Sequence, residues 1–318
     1  MKRFLSGPSI CISIGLALVG GGGASAASVY VGLGDSITFG ETDLNYLPSN
    51  GDRGYVADFA KTLAGQNGGT APIIVNLAID GETAASFMSG VGRTPPVVGR
   101  TDALLAAQNL NYANSPTTPQ AAMFRSLVAS ESAAGNTINT ISITLGFNEL
   151  GALASLPTSQ ALAMLPGTLA TYQTNYTNVL TEVRSLEPRA NLYLLGYYNP
   201  FPADPKNPAA PIFAKGGPEL NAIIQMLATD FNANYVNTTE AFLGKEAALT
   251  YIGQYPAGST SPGVNPGIEP IGNVHPNAAG YQVIANQITA TPEPTSIGLF
   301  GIAAAAFGLV WRMRRRLA

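Results

Sequence analysis

With 318 residues, 46% hydrophobic and only 11% charged, the chain carries too much apolar side chain for a disordered polymer. It is long enough for one large domain or two small ones. Its 16 Lys+Arg against 19 Asp+Glu give a net charge of −3, which argues against a polybasic nucleic-acid binder, and its single cysteine excludes an internal disulfide framework.

The chain starts with Met1-Lys2-Arg3, an apolar run through Ile12 to Val19, and the small residues Ala24-Ser25-Ala26. Charge, apolar stretch and A-x-A site are the three parts of a secretory signal peptide, so residues 1–26 are expected to be removed on export. Cys11 leaves with that segment, and the residue before it is not small, which argues against a lipid anchor.

From Ser28 onward, short runs rich in β-formers alternate with longer stretches at helical spacing. Strands are expected at Ser28 to Gly34, Pro72 to Leu77, Thr140 to Leu145, Asn191 to Gly196 and Tyr235 to Asn237. Helices are expected around Tyr55-Val56-Phe59-Ala60-Leu63, Leu169-Tyr172-Tyr176-Leu180-Val183 and Leu220-Ile223-Ile224-Leu227, with Pro166 in the first turn of the second. This alternation predicts a single α/β domain over residues 28–290, a parallel sheet with helices on both faces. Gly and Pro mark long loops at Pro200 to Pro218 and Pro256 to Gly272, and Gly90 to Pro119 reads as an insertion.

Chemistry-bearing residues fall just after predicted strands, the edge where open α/β folds bind ligands. Gly34-Asp35-Ser36 follows the first, "NLAIDGETAASF" with Gly81 the second, and "ITLGFNEL" with Gly146 and Asn148 the third. A serine nucleophile needs a base, and the chain's single histidine is His275, in a loop ahead of a last helix with Asn277 as its expected cap. Taken singly, each residue has a plainer reading: His275 as a structural imidazole, Gly81 as a turn, Asn148 as a helix cap. The aromatic stretch "LLGYYNPFP" offers Tyr197, Tyr198 and Phe201 as pocket candidates, with core packing as the plainer reading.

These blocks, in this order, resemble the SGNH (GDSL) hydrolase family: Gly34-Asp35-Ser36, Gly81, Gly146-x-Asn148 and His275-Pro276. The resemblance spans residues 34–275. It implies a flavodoxin-like three-layer α/β/α sandwich with a five-stranded parallel sheet, and carboxylic ester hydrolysis without a cofactor. It further implies Ser36 as nucleophile and His275 as base. The oxyanion hole would comprise the Ser36 and Gly81 N–H groups and the Asn148 side chain, with Asp35 bracing the nucleophile loop. Where the family usually has an Asp shortly before the histidine, this chain has Gly272 and Asn273. Asn273, Glu269 or backbone carbonyls are then the candidates to orient His275. Glu149 stands where many members have Asp. The missing acid leaves a second reading open, a catalytically impaired surface or matrix-binding protein of the same fold. No zinc set is evident, and carboxylates alone would suit only a hard cation such as calcium.

The chain closes with Pro292-Glu293-Pro294, an uncharged stretch from Ile297 to Trp311, and Arg312, Arg314, Arg315 and Arg316. This resembles the PEP-CTERM sorting signal of Gram-negative bacteria over residues 292–318. It implies a transient membrane anchor, an exosortase-type processing enzyme as partner, and display at the surface, outer membrane or matrix. Without its two ends the domain keeps 10 Lys+Arg against 18 Asp+Glu, near −8, which points away from nucleic acid and anionic lipid. The expected substrate is a lipid ester, a short acyl ester or a polysaccharide O-acetyl group.

Overall fold

The computed structural model describes residues 26–40, 54–91, 118–261, 267–268 and 271–291. The expected signal peptide, the sorting segment, Glu269 and most of the insertion lie outside these residues.

Five strands form one parallel sheet: β1 (Ser28–Gly34), β2 (Ile73–Asn76), β3 (Thr137–Thr144), β4 (Asn191–Leu195) and β5 (Asn234–Val236), in the order β2-β1-β3-β4-β5. All five expected strands are present, β1 with the expected ends and the others with ends shifted by no more than three residues. β1 reads as a continuous apolar run because both of its faces are covered: Val29, Tyr30, Val31 and Leu33 are fully buried. The edge strand β2 is more open, leaving Ile73 40% exposed.

Parallel neighbours need a crossover, and here helices supply it. After β1 come α1 (Ser36–Phe39) and α2 (Gly54–Gln66); after β2, α3 (Ala84–Ser89) and α4 (Gln120–Ala133). After β3 come α5 (Phe147–Leu153) and α6 (Thr158–Leu186), and after β4 α7 (Ala210–Asp230). α8 (Thr239–Phe242), α9 (Glu246–Leu249) and α10 (Ala278–Ala290) complete the chain order. α2 packs on α10, while α3 to α7 pack on one another, giving a helical layer on each side of the sheet. Aromatic edges lock the α2 layer to the sheet, with Phe59 edge-on to both Tyr30 and Tyr193.

Two expectations about helices are corrected. Pro166 is not in a first turn: α6 begins at Thr158 and carries Pro166 in its interior. The residue is exposed, so the carbonyl that loses its N–H partner can bond water, and the buried face of Leu165, Leu169, Tyr172 and Tyr176 continues past it. Likewise Pro200 to Pro218 is not one long loop, because α7 starts at Ala210 and holds Pro211 in its first turn and Pro218 inside. Among the described residues no helix is long and apolar enough to cross a membrane.

The chain leaves β1 toward β2 and then crosses back to β3, so the strand order reverses between β1 and β3. A crevice opens at such a reversal, at the carboxyl ends of the strands. Ser36 follows β1 there, and Gly146 and Asn148 follow β3.

Candidate active site

Gly34 makes the turn that delivers Ser36. Its φ is +116°, and a Cβ there would sit 1.9 Å from the Thr144 carbonyl oxygen, so no side chain fits. The fully buried Gln120 clamps the same point: its carbonyl accepts the Gly34 N–H at 2.6 Å and its amide donates to the Gly34 carbonyl at 3.0 Å. The same amide reaches Glu82 Oε2 at 3.1 Å, tying the end of β1 to the loop after β2.

Asp35 caps α1, accepting the Ile37 N–H at 3.0 Å and the Thr144 hydroxyl at 2.7 Å, while Tyr197 donates its hydroxyl to the other carboxylate oxygen. It is fully buried, and loss of solvation outweighs these bonds, raising its pKa from the usual 3.8 to about 6. Below it runs a buried chain of hydroxyls: Thr144 to Thr38 at 2.7 Å, Thr38 to Tyr55 at 2.6 Å, Tyr55 to Ser142 at 3.1 Å and Ser142 to Tyr30 at 2.8 Å. Each hydroxyl gives and takes, so the network fixes the nucleophile turn without an unpaired polar group. Tyr197→Phe, which removes one donor to Asp35, is expected to destabilise the fold by about 1.5–3 kcal/mol, read from denaturant unfolding near pH 7.

Ser36 itself is 8% exposed at the first position of α1. Among the described residues its N–H and that of Gly81 donate to no protein acceptor. Gly81, at φ +75°, sits in the turn closed by Glu82 N–H to the Ile79 carbonyl at 3.1 Å, and Ile79 N–H bonds the Gly34 carbonyl at 2.9 Å, next to the serine turn. Asn148 donates one amide N–H to the Glu82 carbonyl at 2.8 Å, which leaves the other for a ligand. Three donors therefore gather around the crevice.

His275 is half-buried in the loop leading to α10. The loop is pinned at the same sheet edge: Tyr198 donates its hydroxyl to the Val274 carbonyl at 2.8 Å, and Tyr251 N–H bonds the His275 carbonyl at 3.0 Å. Asn277 caps α10 as expected, accepting Gly280 N–H at 3.0 Å. Gly54 closes the geometry, since a Cβ there would meet Gly40 at 2.7 Å and the Tyr281 ring at 3.3 Å. The end of the serine helix α1, the start of α2 and the first turn of α10 thus meet at one point.

Asn273 occupies the usual acid position. Its Oδ1 lies 3.0 Å from His275 Nδ1 and accepts the His275 backbone N–H at 3.2 Å. Only an oxygen can accept that backbone N–H, so the amide orientation is set. The ring must then carry its proton on Nδ1, leaving Nε2 as the basic nitrogen. A carboxylate would also supply a charge, which Asn273 does not.

Glu149 takes the Ala84 N–H at 2.7 Å through Oε1, while Oε2 is buried without a hydrogen-bond partner. Burial, with smaller contributions from the Asp35 and Glu82 charges, raises its pKa from 4.5 to about 7. A carboxyl whose folded pKa is raised binds more protons folded than unfolded between the two values, so stability falls as pH climbs from about 4.5 to 7. Each unit corresponds to about 1.4 kcal/mol, and partial exposure brings the Glu149 share to about 2–3 kcal/mol. Urea unfolding at pH 5 and pH 8 is expected to show this slope, reduced in Glu149→Gln.

The aromatic candidates have other surroundings. Tyr197 is held by Asp35 and Phe147, Tyr198 stacks on Phe242 with centroids 4.1 Å apart, and Phe201 packs on Phe213. All three are 5% exposed or less, so they support the site from beneath rather than face a ligand. A cleft of about 680 Å³ is lined instead from α3, α5 and α6 and includes Asn148. Among the described residues no three His, Cys, Asp or Glu side chains gather as a metal set.

The GDSL-like lipase/acylhydrolase family model matches residues 33–283, from the end of β1 into the last helix. The chain belongs to this family. The PEP-CTERM protein-sorting motif matches residues 290–316. A comparison with curated proteins finds no match. Among solved structures, the fold is similar to the lipase Lip_vut3 from a goat rumen metagenome, at 18% identity over 83% of this chain and 97% of that one, TM-score 0.54. It is also similar to phospholipase A1 from Streptomyces albidoflavus, at 18% identity over 84% and 100%, TM-score 0.52. The extracellular lipase from Streptomyces rimosus matches at 21% identity over 84% and 100%, TM-score 0.51. At these identities the likeness shows the fold, a three-layer α/β/α sandwich; the family match makes the protein a lipase or esterase type of hydrolase carrying a sorting motif.

Proposed function

We propose that the protein is an exported serine esterase using a Ser36-His275 pair to hydrolyse carboxylic esters. His275 Nε2 takes the Ser36 proton as Oγ attacks the ester carbonyl carbon, and the carbonyl oxygen becomes an oxyanion. The Ser36 and Gly81 N–H groups and the Asn148 amide supply donors for that charge. Collapse breaks the bond to the alcohol, which leaves with the proton from Nε2. Water, deprotonated by the same nitrogen, then attacks the acyl-serine and releases the acid. Asn273 holds the tautomer throughout, and the double contact of its Oδ1 with the backbone and ring of His275 is the observation that carries this reading.

The sorting motif implies exosortase-type processing after export, with the domain acting at the cell surface, outer membrane or matrix. Substrates in that setting include lipid esters, short acyl esters and O-acetylated polysaccharide. The neutral Asn273 on His275 Nδ1, where the family usually has an acid, favours one rival, a catalytically impaired binding protein of the same fold. Hydrolysis of p-nitrophenyl esters and acetylated oligosaccharides separates the two: turnover above the buffer rate is expected, and none with any ester would favour the binding protein.

A further inference from the structure

We infer that the groove between α3, α5 and α6 receives the acyl half of the ester and selects a medium-length apolar chain over acetyl. This rests on the esterase reading above and names its substrate class. The groove offers about 680 Å³, many times the room an acetyl group needs, and Ala85, Ala152, Leu153, Met164 and Gly167 give it apolar wall among polar residues that include Glu149. Of the three oxyanion donors Asn148 alone is part of the same wall, so the groove meets the site at that side chain.

Reaction geometry decides which half of the ester enters. The departing alcohol oxygen takes its proton from His275, and so lies against the imidazole. No residue of the His275 loop, 271–277, lines the groove. The group extending from the carbonyl past Asn148, away from the imidazole, is therefore the acyl chain.

The groove is a surface trough: Met164 is 47% exposed, and Gly167 lies on the open face of α6. A flexible thioether suits chains of varied shape. Small residues keep the trough open. A Cβ at Gly167 would meet nothing within 4 Å, so the space beside α6 there is unfilled.

The test compares p-nitrophenyl acetate, butyrate, hexanoate and octanoate on the wild-type protein and on Gly167→Phe. Partial burial of each methylene is worth about two- to fourfold, so over the added methylenes kcat/KM is expected to rise roughly 15- to 250-fold from acetate to hexanoate. Gly167→Phe improves helix propensity, fills the trough and is expected to lower the hexanoate-to-acetate ratio at least tenfold. Ala163→Phe, one turn earlier on the same face, serves if the first variant melts early. Preference for acetate, or a ratio unchanged in both variants, overturns the acyl assignment while leaving the esterase reading intact. No turnover with any ester and no fluorophosphonate adduct on Ser36 overturns both.

Discussion

Ser36→Ala is expected to lower kcat for p-nitrophenyl ester hydrolysis by about 10⁴-fold or more while leaving the melting temperature within about a degree or two. Loss of the nucleophile in a serine hydrolase removes the covalent route, and what remains comes from binding and oxyanion donors alone. The fold should not notice. The turn is held by Gly34, Gln120 and Asp35, and among the described residues the Ser36 hydroxyl makes no hydrogen bond. Equal loss of rate and of stability would mean that Ser36 serves the turn rather than the chemistry.

Asn273→Leu is expected to lower kcat about 10²- to 10³-fold with little change in KM. The substitution removes the acceptor for both His275 N–H groups, so ring orientation and tautomer are lost together. Asn273→Asp tests the same contact in the other direction. A charged acceptor is worth about 1–1.5 kcal/mol more than a neutral one, so kcat should rise about tenfold as the imidazolium formed during attack gains a counter-charge. The acid limb of the kcat/KM profile should move to higher pH, because a neighbouring carboxylate raises the histidine pKa. A leucine variant as fast as wild type would show that the ring is oriented by other groups. An asparagine at an acid position is disabling only where the amide imposes the wrong tautomer; here the His275 backbone N–H prevents that.

Much of the sheet was legible because parallel strands buried on both faces leave an unbroken apolar signature, as in Val29 to Leu33. The order of the blocks after those strands made Ser36, Gly81, Asn148 and His275 visible as a set. Helix ends were less legible. Pro166 and Pro218 read as boundaries by local chemistry, but the buried faces of α6 and α7 outweigh the local cost. What supports the site was not legible at all, since its contacts are distant in sequence. Gln120 clamps Gly34 from 86 residues away, and Tyr197 reaches Asp35 across 162. Tyr197 and Tyr198 drew notice as aromatics at a sheet edge, yet their hydroxyls hold Asp35 and the His275 loop. Glu149 resembled an ordinary acidic neighbour because its unpaired, buried oxygen appears only once α3 and α5 meet.

The most direct measurement is to quench the protein in acid during turnover of a p-nitrophenyl ester and map the peptides by mass. The account predicts an acyl increment on the peptide containing Ser36, absent from Ser36→Ala and more abundant in Asn273→Leu only if deacylation is slowed more than acylation. An active enzyme with no increment on that peptide, or with the acyl group on another residue, would contradict it.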